Sequence, residues 1–181
     1  MSGVAAFVLD TIDALSLLVG AGKWRQALVV LYSAIDTLAW STLVDGDVTR
    51  SDFCAWVNSY MDPPATVQCT AEDLYAARCG LLHSSSAGSR LSREGKAAEL
   101  WYATSADRVP VLRRLAHEKG HSAKIVGITP LVEAFADGAR RFVETLAADR
   151  ALDARVNARV ALWLGFVRST PPGLTREGGG A

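Results

Sequence analysis

Along the first forty positions apolar residues recur at helical intervals: Phe7, Ile12, Leu15 and Leu18, then Trp24, Leu28, Leu31, Ile35 and Leu38. Side chains three or four apart share one helix face. Gly20 and Gly22 separate the two runs, which predicts helices over 4–19 and 23–44, and so short a turn makes them antiparallel neighbours. "TRSDFCAWVNSYM" reads as a shorter helix, with Thr49 and Asp52 at capping-box spacing and "DPP" as its stop. Thr70 and Asp73 repeat that spacing and open a further helix, which carries "YAARCGLLHSSS" to a serine- and glycine-rich break.

Beyond the break the texture changes. "AELWYAT" and "AKIVGIT" are short runs rich in aromatic and β-branched residues, and "DRVPVLRRLAHEKG" between them has the early proline and late glycine of a helix. A small β insertion is therefore expected. Thr129 and Pro130 suit the N-cap and first position of a helix whose apolar face holds Val132, Phe135, Ala139, Phe142 and Leu146. Leu152, Val156, Val160, Trp163 and Val167 mark a last helix, stopped by "STPPG". The fold class expected is mainly α, a helical bundle with a minor β insertion, forming one domain over 1–168 with a flexible tail over 169–181.

Composition narrows the chemistry. Half of the 181 residues are apolar and 21% are charged, which suits a packed core rather than disorder. The three cysteines, Cys54, Cys69 and Cys79, form no CxxC pair and read as reduced thiols of a cytoplasmic protein, while three histidines are too few for a zinc-type ligand set, so neither metal nor cofactor is expected. Asp10 and Asp13 interrupt the apolar amino terminus and its first positive charge is Lys23, so it reads as neither signal peptide nor membrane span. There is no Gly-rich phosphate loop, GxSxG elbow or HExxH.

Net charge is zero, but its distribution is uneven. Residues 1–77 hold three basic and nine acidic side chains, and residues 78–141 hold eleven and six. A polyanion would meet the middle third, where the basic excess begins at Arg78.

Arg78-Cys79-Gly80-Leu81-Leu82-His83 is an R-x4-H motif on a helix of a mostly helical chain. Over residues 24–90, with the "LYSAIDTLAW" helix, a shorter helix and then the "YAARCGLLHSSS" terminus, the chain resembles the HEPN (higher eukaryotes and prokaryotes nucleotide-binding) superfamily. The resemblance implies a homodimer in which two Arg78–His83 pairs form one metal-independent endoribonuclease site, in a toxin or defence component with an antitoxin or nucleotidyltransferase partner. The alternative it implies is a catalytically inactive module that binds RNA, a nucleotide or a protein. Active members often have a polar residue after the arginine, where this chain has Cys79.

The chemistry such a pair offers is specific. A neutral His83 takes the proton of an RNA 2′-hydroxyl, a protonated histidine of the second copy donates to the leaving oxygen, and Arg78 holds the scissile phosphate. Asp36, on "YSAIDTLAW", is a candidate to orient Arg78 or His83. Ser84, Ser85, Arg90 and Arg93 are candidate substrate contacts, the two arginines in a basic loop with Lys96. The plain alternative pairs Arg78 with Asp73 or Asp36 and lets His83 bond the last carbonyls of its helix. A second Arg–His spacing, Arg114 to His121, runs through Gly120 and reads as an exposed helix end.

Overall fold

The computed structural model describes residues 3–63, 67–84, 86 and 88–162. Among them the first two apolar stripes become α1 (Gly3–Gly20) and α2 (Trp24–Ser41), which pack on each other around a turn with Gly22 at φ +67°, a left-handed conformation that glycine adopts without steric cost. α3 (Arg50–Tyr60) starts on the Thr49–Asp52 capping box and α4 (Ala71–Ser84) on the Thr70–Asp73 one, each box fixing a helix start by about 0.5–2 kcal/mol.

After the short α5 (Arg90–Arg93) come β1 (Leu100–Ala103), α6 (Arg108–Glu118) and β2 (Lys124–Gly127). The strands pair in parallel with Leu100 opposite Lys124 and Ala103 opposite Gly127, and α6 is the crossover between them. The expected β insertion is thus a β-α-β unit two strands wide.

α7 (Ile128–Ala148) and α8 (Arg150–Val160) close the bundle. α7 begins earlier than the Thr129–Pro130 pattern predicts: Gly127 is its N-cap and Pro130 its third residue. Pro110 sits likewise third in α6. The first-turn N–H groups have no intrahelical acceptor, so a proline anywhere in that turn loses nothing. α7 buries Leu131, Phe135, Ala139, Phe142 and Leu146 at three- and four-residue intervals, and burial of each phenyl ring contributes roughly 1.5–3 kcal/mol. The structure is mainly α with a small parallel sheet, in agreement with the pattern.

The core lies where α1, α2, α3, α4 and α7 meet, with Leu15, Leu31, Ile35, Leu38, Phe53, Leu74, Phe135 and Phe142 sealed from solvent. α1 is long and apolar enough by composition to cross a membrane. In this structure it packs along α2, α7 and α8, burying Val4, Val8, Thr11 and Leu15 and leaving Leu9 and Leu17 on its outer face. Trp163, Val167 and the expected tail over 169–181 lie outside the described residues.

Candidate active site

α4 and α2 run side by side, and the site forms on their shared flank. Thr70 starts α4, and Asp73 anchors it. The Asp73 carboxylate is 3% exposed and accepts hydrogen bonds from Thr70 N (2.9 Å), Ala98 N (2.6 Å) and Lys124 Nζ (2.7 Å). Burial alone would raise its pKa, but Lys124 and the backbone donors outweigh that and hold it below the usual carboxylate value. Asp73 therefore ties the first turn of α4 to the entrance of β1 and to β2, and it is not the partner of Arg78.

That partner is Asp36. Arg78 Nε donates to Asp36 Oδ2 at 2.7 Å and Nη2 reaches the same oxygen at 2.6 Å, with the two side chains 22% and 19% exposed. Asp36 Oδ1 is shielded from solvent and has no hydrogen-bond partner among the described residues. Burial accordingly pushes the Asp36 carboxyl up, against the pull of Arg78. Arg78 is pushed up as well, because Asp36 outweighs the cost of its burial. Two donors on one oxygen favour the ionised carboxylate, so burial tempers the pair without abolishing it.

Arg78 Nη1 lies 3.3 Å from His83 Nε2 and 3.9 Å from Cys79 Sγ. Five residues along a helix amount to about 140° of rotation and 7.5 Å of rise, so the backbone sets the two residues on different faces. The length of the arginine side chain closes the gap. Arginine only donates, so the contact is a hydrogen bond only when Nε2 is unprotonated, with neutral His83 carrying its proton on Nδ1. His83 is exposed at the end of α4.

Tyr75 completes the surroundings, its ring centroid 6.0 Å from Arg78 Cζ. Burial and the neighbouring Cys79 thiol raise its phenol above the usual value, against the Arg78 charge. The signal for Tyr75 and Cys79 was in the sequence, since Tyr75 stands three residues before Arg78 and Cys79 four before His83, spacings that share a helix face.

The remaining candidates lie elsewhere. Arg90 is 81% exposed and pairs with Glu94 at 3.6 Å, Lys96 pairs with Glu94 at 2.8 Å, and Arg93 lines a separate depression with Ser92, Ala98 and Ser122. Neither these ion pairs nor that depression includes Arg78 or His83. The Ser84 side chain and Ser85 lie outside what the structure describes. His121 is exposed beyond the end of α6, its ring tilted against Trp101 with centroids 5.4 Å apart, in keeping with an exposed helix end.

Gly80, inside the motif, has a role that spacing does not announce. A Cβ there would lie 2.7 Å from Ser86 O and 3.2 Å from Gly88 O, and Ser86 N donates to Gly80 O at 3.1 Å. Ser86 and Gly88 thus lie directly against Gly80, where a side chain would not fit.

Comparison of the chain with known protein families, with curated proteins and with solved structures returns no match.

Proposed function

We propose that the protein is an HEPN-like, metal-independent endoribonuclease in which His83 transfers protons and Arg78 binds the scissile phosphate. The observation that carries this reading is the Asp36–Arg78–His83 chain of contacts. A carboxylate fixes the guanidinium through Nε and Nη2, which leaves the Nη1 side beside an exposed imidazole. A guanidinium held this way is preorganised for a phosphate, and its bidentate, charge-assisted contacts favour the phosphorane over the diester.

In the reaction the RNA 2′-oxygen attacks the adjacent phosphorus and its proton passes to one histidine. The P–O5′ bond breaks, the second histidine protonates the departing oxygen, and the products carry a 2′,3′-cyclic phosphate and a 5′-hydroxyl. Each chain has one His83, so the acid and the base come from two copies around a two-fold axis. The nucleophile is the substrate's own hydroxyl, so DNA is not cut.

The test incubates the purified protein with RNA in the presence and absence of EDTA, alongside the same oligonucleotide with a 2′-deoxy residue at the cut. Cleavage that persists in EDTA, stops at the deoxy position and yields cyclic phosphate is the expected result. Metal-dependent cleavage refutes the mechanism. RNA or nucleotide binding that needs Arg78, without any cleavage, assigns the protein to the inactive binding modules instead.

A further inference from the structure

Arg78 forms one wall of an open groove of about 450 Å³ whose other lining residues are Asp36, Thr37, Trp40, Asp47 and Val48. It is within the size range of small-ligand clefts, roughly 300–1,000 Å³. Its lining mixes both charges: the acidic amino-terminal half supplies Asp36 and Asp47, and Arg78, the first residue of the basic excess, supplies the positive charge. Asp36 is already engaged by Arg78, whereas Asp47 is exposed at the rim.

The segment carrying Asp47 is held from several sides. Arg159 Nη2 donates to Gly46 O at 2.7 Å and Arg155 Nη1 to Thr42 O at 3.4 Å, both from α8, while the Thr49–Asp52 capping box fixes the other end. Gly46 takes the turn at φ +72°. The Arg159 guanidinium also lies 3.7 Å from the centroid of the Trp40 ring. Trp40 lines the groove and Arg159 does not.

A ligand that satisfies these walls must offer an anion to Arg78, a planar face to Trp40 and hydrogen-bond donors to Asp47. We propose that the groove is a guanine-selective base site, in which the base attached to the phosphate at Arg78 stacks on Trp40 and gives its N1–H and N2–H to the Asp47 carboxylate. Guanine alone among the RNA bases has two adjacent N–H donors on one edge, the complement of a carboxylate's two oxygens. Adenine, cytosine and uracil present an acceptor next to each donor there and would set it against the carboxylate. Asp47 and Trp40 are thus specificity-determining residues, and the assignment rests on Arg78 being the phosphate-binding group.

The experiment measures binding of guanosine, adenosine, cytidine and uridine 3′-monophosphates to the full chain and to its Asp47→Asn and Trp40→Leu variants by calorimetry. The wild type should bind the guanosine nucleotide at least tenfold more tightly than the others. Asp47→Asn, a change at an exposed position that keeps the shape but puts a donor where an acceptor is needed, should erase that advantage. Trp40→Leu should weaken all four roughly tenfold, because stacking is indifferent to the base. Equal binding of the four by the wild type, or a guanosine advantage that survives Asp47→Asn, overturns the proposal. The probes are already cleaved, so the result does not depend on turnover. A protein that selects guanosine in this way but cuts no RNA loses the ribonuclease reading and keeps the base site. One that cuts RNA without regard to base keeps the first and loses the second.

Discussion

Arg78 and Asp36, 42 residues apart, meet through two donors on a single carboxylate oxygen, at 2.7 and 2.6 Å. Removal of either partner leaves the other half-buried charge unpaired. Asp36→Ala and Arg78→Ala should each cost about 1–3 kcal/mol, the penalty of an orphaned polar group. The double variant should cost clearly less than the two together, because it orphans nothing. Urea denaturation of the four proteins measures the cycle. Additive losses would mean that the two side chains do not depend on each other.

Gly80 gives a steric test. Alanine in a helix interior normally gains about 1 kcal/mol over glycine, but here the added methyl would lie 2.7 Å from the Ser86 carbonyl oxygen. Backbone cannot yield as a side-chain tip does, so a repulsive cost of about 1–3 kcal/mol should win. Gly80→Ala is expected to lower the melting temperature by several degrees. Gly20→Ala, where nothing lies within 4 Å, is the control and should not lower it. A Gly80→Ala protein as stable as the control would show that the return loop does not rest on the helix.

Asp73 predicts the acid limb of stability. Its folded-state pKa is depressed, chiefly by Lys124 and the Thr70 and Ala98 backbone N–H groups acting against its burial. The stability it contributes is therefore fully present above the unfolded carboxylate value of about 3.9 and drains away as pH falls through the lower folded value. Asp36, whose pKa is raised by burial, has the opposite sign: what it contributes is present at low pH and lost as pH rises through the raised value. Denaturation midpoints followed from about pH 5 down to about pH 2 should fall more for the wild type than for Asp73→Asn. Parallel slopes would remove Asp73 from its place as the anchor of α4.

The contrast among these residues explains what was readable in the sequence. Each strand of the β insertion showed in its own run of aromatic and β-branched residues, while the helices and both capping boxes rest on contacts within a few positions, and spacing reports such contacts directly. Thr70 with Asp73 was legible for that reason. The further grip of Asp73 on Ala98 and Lys124 was not, because it exists only once β1 and β2 pair in parallel. Spacing also left Arg78 two acidic candidates, and only the packing of α4 on α2 decides for Asp36. Gly80 gave no local sign of the chain that doubles back above it. Trp40 and Asp47 were silent for a similar reason, since an aromatic on a helix flank and an aspartate in a turn acquire meaning only from the groove they share with Arg78.

His83 and Arg78 separate catalysis from binding. An imidazole that moves protons is worth about 10²- to 10⁴-fold in rate, and a neutral one adds little attraction for phosphate. His83→Ala should therefore lose that factor in cleavage while RNA affinity stays nearly intact. Arg78→Ala should damage both, since it removes the proposed phosphate contact and leaves Asp36 unpaired. Arg78→Lys keeps the charge but not the planar fork that engages Asp36 through Nε and Nη2, so it should recover binding better than rate. Single-turnover cleavage and filter binding of one labelled RNA, run on all four proteins at matched ionic strength, resolve the two effects. Undiminished cleavage by His83→Ala would remove His83 from proton transfer. Equal recovery of rate and affinity in Arg78→Lys would reduce Arg78 to a point charge and make the Asp36 contact irrelevant to the chemistry.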